Sequence, residues 1–268
     1  MLVVDDNFIN QKVATRLLQQ LGYASDLASN GTEALAVLEK KSYDLIFMDV
    51  QMPGLDGLET TRRIRERERR EGQPPVQITA MTANAMLGDR DKCLGAGMND
   101  YLAKPVRPEA LKAALERAAQ AREETASLPE RQPAVPAPAP QAGSRVAPAE
   151  DTATLFDLDR LQEFAGGSRS CLIEITDLYF NQTSGQLDLI EAALGRGDAA
   201  EVARLAHSSA GASGVCGILA MEPLFREAEH LGKQGLVNEV SPLLLALRQN
   251  FARVQAALLN SREKMPLS

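Results

Sequence analysis

Five side chains of this 268-residue chain carry the groups that phosphoryl chemistry requires: Asp5, Asp6, Asp49, Thr82 and Lys104. Three carboxylates brought together repel one another unless a hard cation sits among them, and an all-oxygen set with room for water suits Mg²⁺. With that charge neutralised, Asp49 can act as a carboxylate nucleophile toward a phosphoryl group. Thr82 can donate a hydrogen bond to one phosphoryl oxygen while the Lys104 ammonium offsets charge on another. A second acceptor stands far along the chain. His207 is one of only two histidines, and a neutral imidazole nitrogen can take a phosphoryl group from an aspartyl phosphate.

Taken singly these residues say little, since Asp5-Asp6 would serve as a helix cap after a strand and Asp49 as an ordinary loop acid. Their places in the pattern of elements give them meaning. Short Val- and Ile-rich runs at Leu2 to Val4, Ser25 to Ala28, Leu45 to Met48, Val76 to Met81 and Tyr101 to Ala103 alternate with helical periodicity. The helices are expected at Asn10 to Leu21, Thr32 to Lys40, Leu58 to Arg70, Met86 to Leu94 and from Pro108 onward. Such alternation implies an α/β domain, a doubly wound five-stranded parallel sheet of the flavodoxin-like kind. In an open parallel sheet ligands bind beyond the carboxyl ends of the strands, where all five residues fall.

Six of the fourteen prolines lie between Glu124 and Thr152 among Ala, Gln, Ser and Gly, with no apolar period. This composition marks a flexible linker, placed at residues 123–153 between a first domain at 1–122 and a second at 154–262, with a tail at 263–268. The second domain shows helix signals only. Asp157, Ser168, Asp198 and Ser241 are expected N-caps, Pro242 a first helical residue, and Gly166, Gly195, Gly232 and Gly235 stops, giving an all-α four-helix bundle with a short leading helix. In the helix beginning near Ala199, Val202, Leu205, Ser209, Ala212 and Cys216 mark the core face. At about 100° per residue His207 lies opposite that stripe and is expected to face solvent among Ala203, Arg204, Ala210, Gly211 and Gly214. His230 is expected to be structural, in the last turn of its helix near terminal carbonyls. The charge run Arg62 to Glu71 suits a solvated helix face.

Composition narrows the function classes. Lys plus Arg is 29 against 36 Asp plus Glu, a net charge of -7, which argues against nucleic acid or anionic membrane and for protein partners. Three scattered cysteines fit reduced thiols in a cytoplasm. No apolar run approaches the ~20 residues of a membrane helix, so neither membrane insertion nor a signal segment is expected.

The strings LVVDDNFINQKVA, YDLIFMDVQMPGLDG, ITAMTANAM and GMNDYLAKPV resemble the receiver domain of two-component response regulators, especially those of hybrid histidine kinases. The match covers nearly all of residues 1 to 121. The resemblance implies Asp49 as phosphoacceptor, Asp6 as direct metal ligand, Asp5 as a second metal-site acid and the Gln51 carbonyl as a further ligand. It also implies phosphoryl contacts from Thr82 and Lys104, a cis Lys104-Pro105 bond, Tyr101 as an aromatic switch, and a small Ala83 that leaves the pocket open to a partner histidine.

The string LAHSSAGASGVCG looks like the histidine-phosphotransfer (HPt) motif, and the likeness extends over residues 154 to 260. His207, Gly211, Ser213 and Gly217 fit the motif, whereas Ala210 stands where a lysine is usual. Arg204, one turn before His207, is the candidate substitute for that charge. The function implied is phosphorelay: Asp49 accepts a phosphoryl group from a histidine kinase with Mg²⁺ and exchanges it with His207, or His207 serves another receiver domain. The chain has no ATP-binding box and is not expected to be a kinase itself. Two alternatives are a phosphorylation-switched interaction module with an inactive bundle, and the C-terminal part of a hybrid sensor kinase.

Overall fold

The computed structural model describes residues 1–82, 87–127, 155–166 and 168–263. The first domain runs β1 (Leu2–Val4), α1 (Phe8–Gln20), β2 (Asp26–Ala28), α2 (Gly31–Leu38), β3 (Leu45–Asp49), α3 (Gly57–Glu71), β4 (Gln77–Thr82), α4 (Leu87–Gly95), β5 (Asp100–Ala103) and α5 (Pro108–Ser127). The strands form one parallel sheet in the order β2-β1-β3-β4-β5. Sequential strands therefore reverse direction of growth at the β1/β3 pair, which opens a crevice beyond the carboxyl ends of those two strands.

Alternation along the strands builds a core on each face. Val3, Phe47, Met81 and Leu102 pack with Ile9, Val13 and Leu17 of α1 and Leu111 of α5, while Leu2, Val4, Ile46, Met48 and Ile78 pack with Ala34, Ile64 and Cys93. The α1 helix starts where the Asn7 side chain accepts from the backbone N–H groups of Ile9 and Asn10.

The second domain comprises α6 (Leu158–Ala165), α7 (Arg169–Gly195), α8 (Ala199–Val215), α9 (Glu222–Lys233) and α10 (Val237–Glu263). Asp157, Ser168 and Asp198 cap α6, α7 and α8 through their side chains, as expected. Gly166 ends α6 in the left-handed conformation and Gly195 is the last residue of α7. Two expectations are corrected. Ser241 and Pro242 do not start α10, because the buried stripe Val240, Leu244, Leu247, Val254 and Leu258 begins a residue before Ser241 and draws the helix back to Val237, with Pro242 inside it. Gly232 lies inside α9 and does not stop it; an added Cβ there would stand 2.8 Å from the Ala203 nitrogen, so its bareness serves helix contact.

The apolar core on the α1 face continues into the bundle without a break. Asn7 Nδ2 donates to the Ser208 carbonyl and hydroxyl oxygens, both at 3.0 Å, Lys12 pairs with Glu174 at 3.4 Å, and Gly211 faces the Asn10 amide. Of the segment expected as linker, residues 123–127 continue α5, and the remainder lies outside the described residues, as does Ala83. Glu263 closes α10, and the rest of the expected tail also lies outside them. No described helix is long and apolar enough to cross a membrane.

The exit of β3 depends on Gly57, whose added Cβ would stand 2.1 Å from the Asp49 carbonyl oxygen, a main-chain atom with nowhere to go. Gly57→Ala is expected to destabilise the first domain by about 2–3 kcal/mol. A urea midpoint equal to wild type would contradict this placement.

Candidate functional site

The crevice beyond β1 and β3 holds the three acids. Carboxylate oxygens of Asp5, Asp6 and Asp49 lie within 4.8 Å of one another. Asp5 and Asp49 are buried, and the Lys104 ammonium reaches both at 2.7 Å while itself almost wholly covered. The turn into α1 holds Asp5 in place, because the Asn7 N–H donates to its Oδ1 at 2.9 Å and Asn10 Nδ2 reaches both its oxygens. Gln11 Nε2 donates to the Asp5 carbonyl at 2.7 Å, tying the helix to the end of β1. Asp49 accepts from the Gln51 N–H at 3.2 Å.

Lys104 follows β5, its N–H donating to the Thr82 carbonyl at 2.7 Å, which sets the ends of β4 and β5 side by side. The Lys104-Pro105 bond is cis, as the resemblance implied. Tyr101 sits on β5, half-buried, with the Arg90 guanidinium 5.8 Å from its ring centre.

Burial and crowding show in the electrostatics. Burial, then the neighbouring Asp5 charge, pushes Asp49 up to about 7 against the pull of Lys104, and the same two causes raise Asp6 to about 6. Burial opposes the Lys104 charge, but Asp49 and Asp5 together hold its ammonium well above the usual lysine range. A single internal cation thus leaves three carboxylates under-neutralised, and the all-oxygen donor set fits a hard divalent cation.

His207 departs from expectation. Its side chain is only 14% exposed, because α9 of the bundle packs against this face of α8 and brings Glu229 onto the imidazole. A cavity of about 520 Å³ spans the two domains, lined by Asp6, Gln51, Met52 and Pro53 on one side and by Ala203, Arg204, His207 and Lys233 on the other. Nδ1 of His207 lies 2.9 Å from Glu229 Oε1. A carboxylate only accepts, so this contact assigns the proton to Nδ1 and leaves Nε2 as the nucleophilic nitrogen when the ring is neutral. Glu229 also contacts Lys233 at 2.6 Å and Arg226 at 3.3 Å. Burial would raise its pKa, but His207 and then Lys233 bring it down to about 2.

The remaining candidates divide. Arg204 lines the cavity with its guanidinium held by both Glu201 oxygens at 2.7 Å. Ala210 is fully covered and Gly211 is buried, and neither is on the solvent face expected for it. His230 is exposed in the last turn of α9, with Nε2 2.7 Å from the Gln234 amide.

Glu229 and Lys233 were missed from sequence. A signal was present: with Phe225, Ala228 and Gly232, Glu229 falls on the buried stripe of α9, and a carboxylate on such a stripe requires a partner. Asn7, and Asn10 at the expected start of the first helix, were not among the sequence candidates either, although both bond the site or its neighbours.

A family model described as "Response regulator receiver domain" matches residues 1–116, and one described as "Hpt domain" matches residues 174–257. Hybrid signal transduction histidine kinase K of Dictyostelium discoideum is 44% identical over 121 residues, covering 44% of this chain and 10% of that protein. Hybrid signal transduction histidine kinase B of the same organism is 47% identical over 114 residues, 40% of this chain and 6% of that protein. The chain thus spans a tenth or less of the length of these relatives. Among solved structures, the co-crystal of a Saccharomyces cerevisiae histidine phosphotransfer signalling protein with the receiver domain of its downstream response regulator aligns at 38% identity. It covers 45% of this chain and 88% of that one, with a TM-score of 0.44. A Pseudomonas aeruginosa sensor kinase receiver domain with magnesium in its active-site cleft aligns at 45% identity, covering 44% of this chain and 95% of that one, TM-score 0.40.

Two outcomes follow from the site's charges and from the docked face. Folding lifts the Asp49 carboxyl from 3.8 to about 7, so its ionisation weakens the cation-free fold as pH rises through that interval. In chelator at pH 8, Asp49→Asn is expected to be roughly 1–3 kcal/mol more stable than wild type, with the difference fading toward pH 5. A lower urea midpoint for the variant at pH 8 would contradict the charge crowding. Gly211→Arg is expected to separate the domains and reduce carbodiimide coupling of Lys12 to Glu174 several-fold, read by peptide mass spectrometry; undiminished coupling would refute the docked arrangement.

Proposed function

This chain carries a response regulator receiver domain followed by an Hpt domain, and from that premise we propose that it relays phosphoryl groups between Asp49 and His207 of one molecule. One observation supports the reading above the others: His207 opens onto the same cavity as Asp6 and Gln51, the residues that border Asp49.

In this proposal a histidine kinase is the first donor: an Asp49 carboxylate oxygen bonds to the phosphorus as the bond from phosphorus to the kinase histidine nitrogen breaks, and that nitrogen keeps the electron pair. Asp6, Asp49, the Gln51 carbonyl and Asp5 would hold Mg²⁺, which supplies charge neutralisation on the transferring oxygens. Lys104, already between Asp5 and Asp49, shifts one hydrogen bond to a phosphoryl oxygen. Thr82, at the end of β4, donates to another, and Tyr101 responds on the neighbouring strand. Nε2 of His207 then accepts the group across the cavity, or returns it when flow is reversed. Asn7 contributes twice, capping α1 beside Asp5 and holding Ser208, the residue after the histidine. Receiver domains of other proteins are further partners for His207 once the two domains part. The setting is cytoplasmic, where such kinases present their donors.

The test uses radiolabelled acetyl phosphate as donor, Mg²⁺, and the acid and alkali stability of the label. Wild type is expected to show alkali-labile acyl phosphate first and acid-labile, alkali-stable phosphohistidine second. Asp49→Ala should give neither, and His207→Ala only the first. Alkali-stable label that persists in His207→Ala would overturn the relay.

A further inference from the structure

The Hpt helix lacks a lysine three residues after His207, yet a phosphoryl group arriving there brings two negative charges that need a counter-charge. Position 210 has no room for one. Ala203, His207, Ala210 and Gly214 form a single stripe at spacings of four, three and four, and this stripe is the seam against α9. Ala203 meets Gly232, His207 meets Glu229, and an added Cβ at Gly214 would stand 3.0 Å from the Glu222 carboxylate. Ala210, within the seam, has no exposed surface. The same closeness brings α9 side chains to the histidine.

We propose that Lys233, from α9, supplies the positive charge that the phosphoryl group on His207 requires, and that Glu229 is the positioning residue that parks this lysine and fixes the imidazole. The inference rests on the relay reading. Lys233 lines the cavity with His207, is about half exposed, and is free to turn. Glu229 has three partners, so Lys233 can leave it while Arg226 and His207 remain. Arg204 is less available, held by both oxygens of Glu201.

The Nε2 lone pair forms a bond to phosphorus as the bond from phosphorus to the Asp49 oxygen breaks, and that oxygen keeps its electron pair. The ring then carries phosphorus on Nε2 and a proton on Nδ1, a net positive charge faced by Glu229 at 2.9 Å. Lys233 exchanges Glu229 Oε1 for a phosphoryl oxygen.

The experiment follows arrival of label at His207 in the full chain after Asp49 has been loaded from acetyl phosphate with Mg²⁺. Lys233→Ala is expected to slow arrival at least tenfold with Asp49 loading unchanged, and Lys233→Arg to recover it to within threefold. Arg204→Ala should slow it less than Lys233→Ala does. Glu229→Ala should slow it as well and, in nitrogen-15 spectra of His207, replace the single Nδ1–H tautomer by a mixture, with Glu229→Gln restoring the single form. Transfer in Lys233→Ala within twofold of wild type, or equal loss in Arg204→Ala, would overturn the assignment to Lys233. An unchanged tautomer in Glu229→Ala would overturn the role of Glu229. A wild-type chain that loads Asp49 and never labels His207 would remove the relay reading and this inference together.

Discussion

Three carboxylates and one ammonium share the crevice between β1 and β3, and much of the first domain is arranged around keeping them there. Each element that meets at the crevice contributes a restraint. The start of α1 spends its first polar residues on Asp5 and on the end of β1. The chain after β3 turns back through Gly57, which must be bare to pass the Asp49 carbonyl. β5 delivers Lys104 into the centre. The cluster is poorly neutralised on its own terms, with Asp49 and Asp6 both pushed up by burial and mutual repulsion. Such a site is primed for added positive charge and for a change in the charge that it holds.

The bundle solves a complementary problem with small residues. Ala203, Ala210 and Gly214 let α8 and α9 approach closely, and Gly232 answers from the other side. Close approach costs α8 a position for a long cationic side chain, while it lets α9 place Glu229 and Lys233 beside His207. The bare face along Ser208 and Gly211 is used differently, as the landing surface for α1.

Much of this was legible in the residues. The strand and helix pattern of the first domain follows from period-2 and period-3.6 apolar spacing, and the gathering of Asp5, Asp6, Asp49 and Lys104 follows from parallel-sheet geometry once the strands are placed. The caps at Asp157, Ser168 and Asp198 were equally readable. What sequence could not yield were relations between helices. An exposed face for His207 is what the apolar stripe of α8 suggests by itself, and it fails because the small residues beside His207 let α9 pack on that face, a contact that periodicity within one helix does not show. Pro242 misled for a related reason: a strong local signal for a helix start lost to the buried stripe beginning at Val240. Glu229 is the instructive miss, an acid whose partner is 22 positions away in the chain and one helix away in space.

The covalent join between the two domains turns the docked face into a question of competition. Domains on one chain meet at an effective concentration on the order of ~mM, whereas an outside partner seeking α1 or His207 arrives at its own bulk concentration. The surface held by Asn7, Ser208 and Gly211 cannot serve both at once. An outside protein gains entry in proportion to the time the two domains spend apart, so the strength of the internal contact sets how often this chain converses with others.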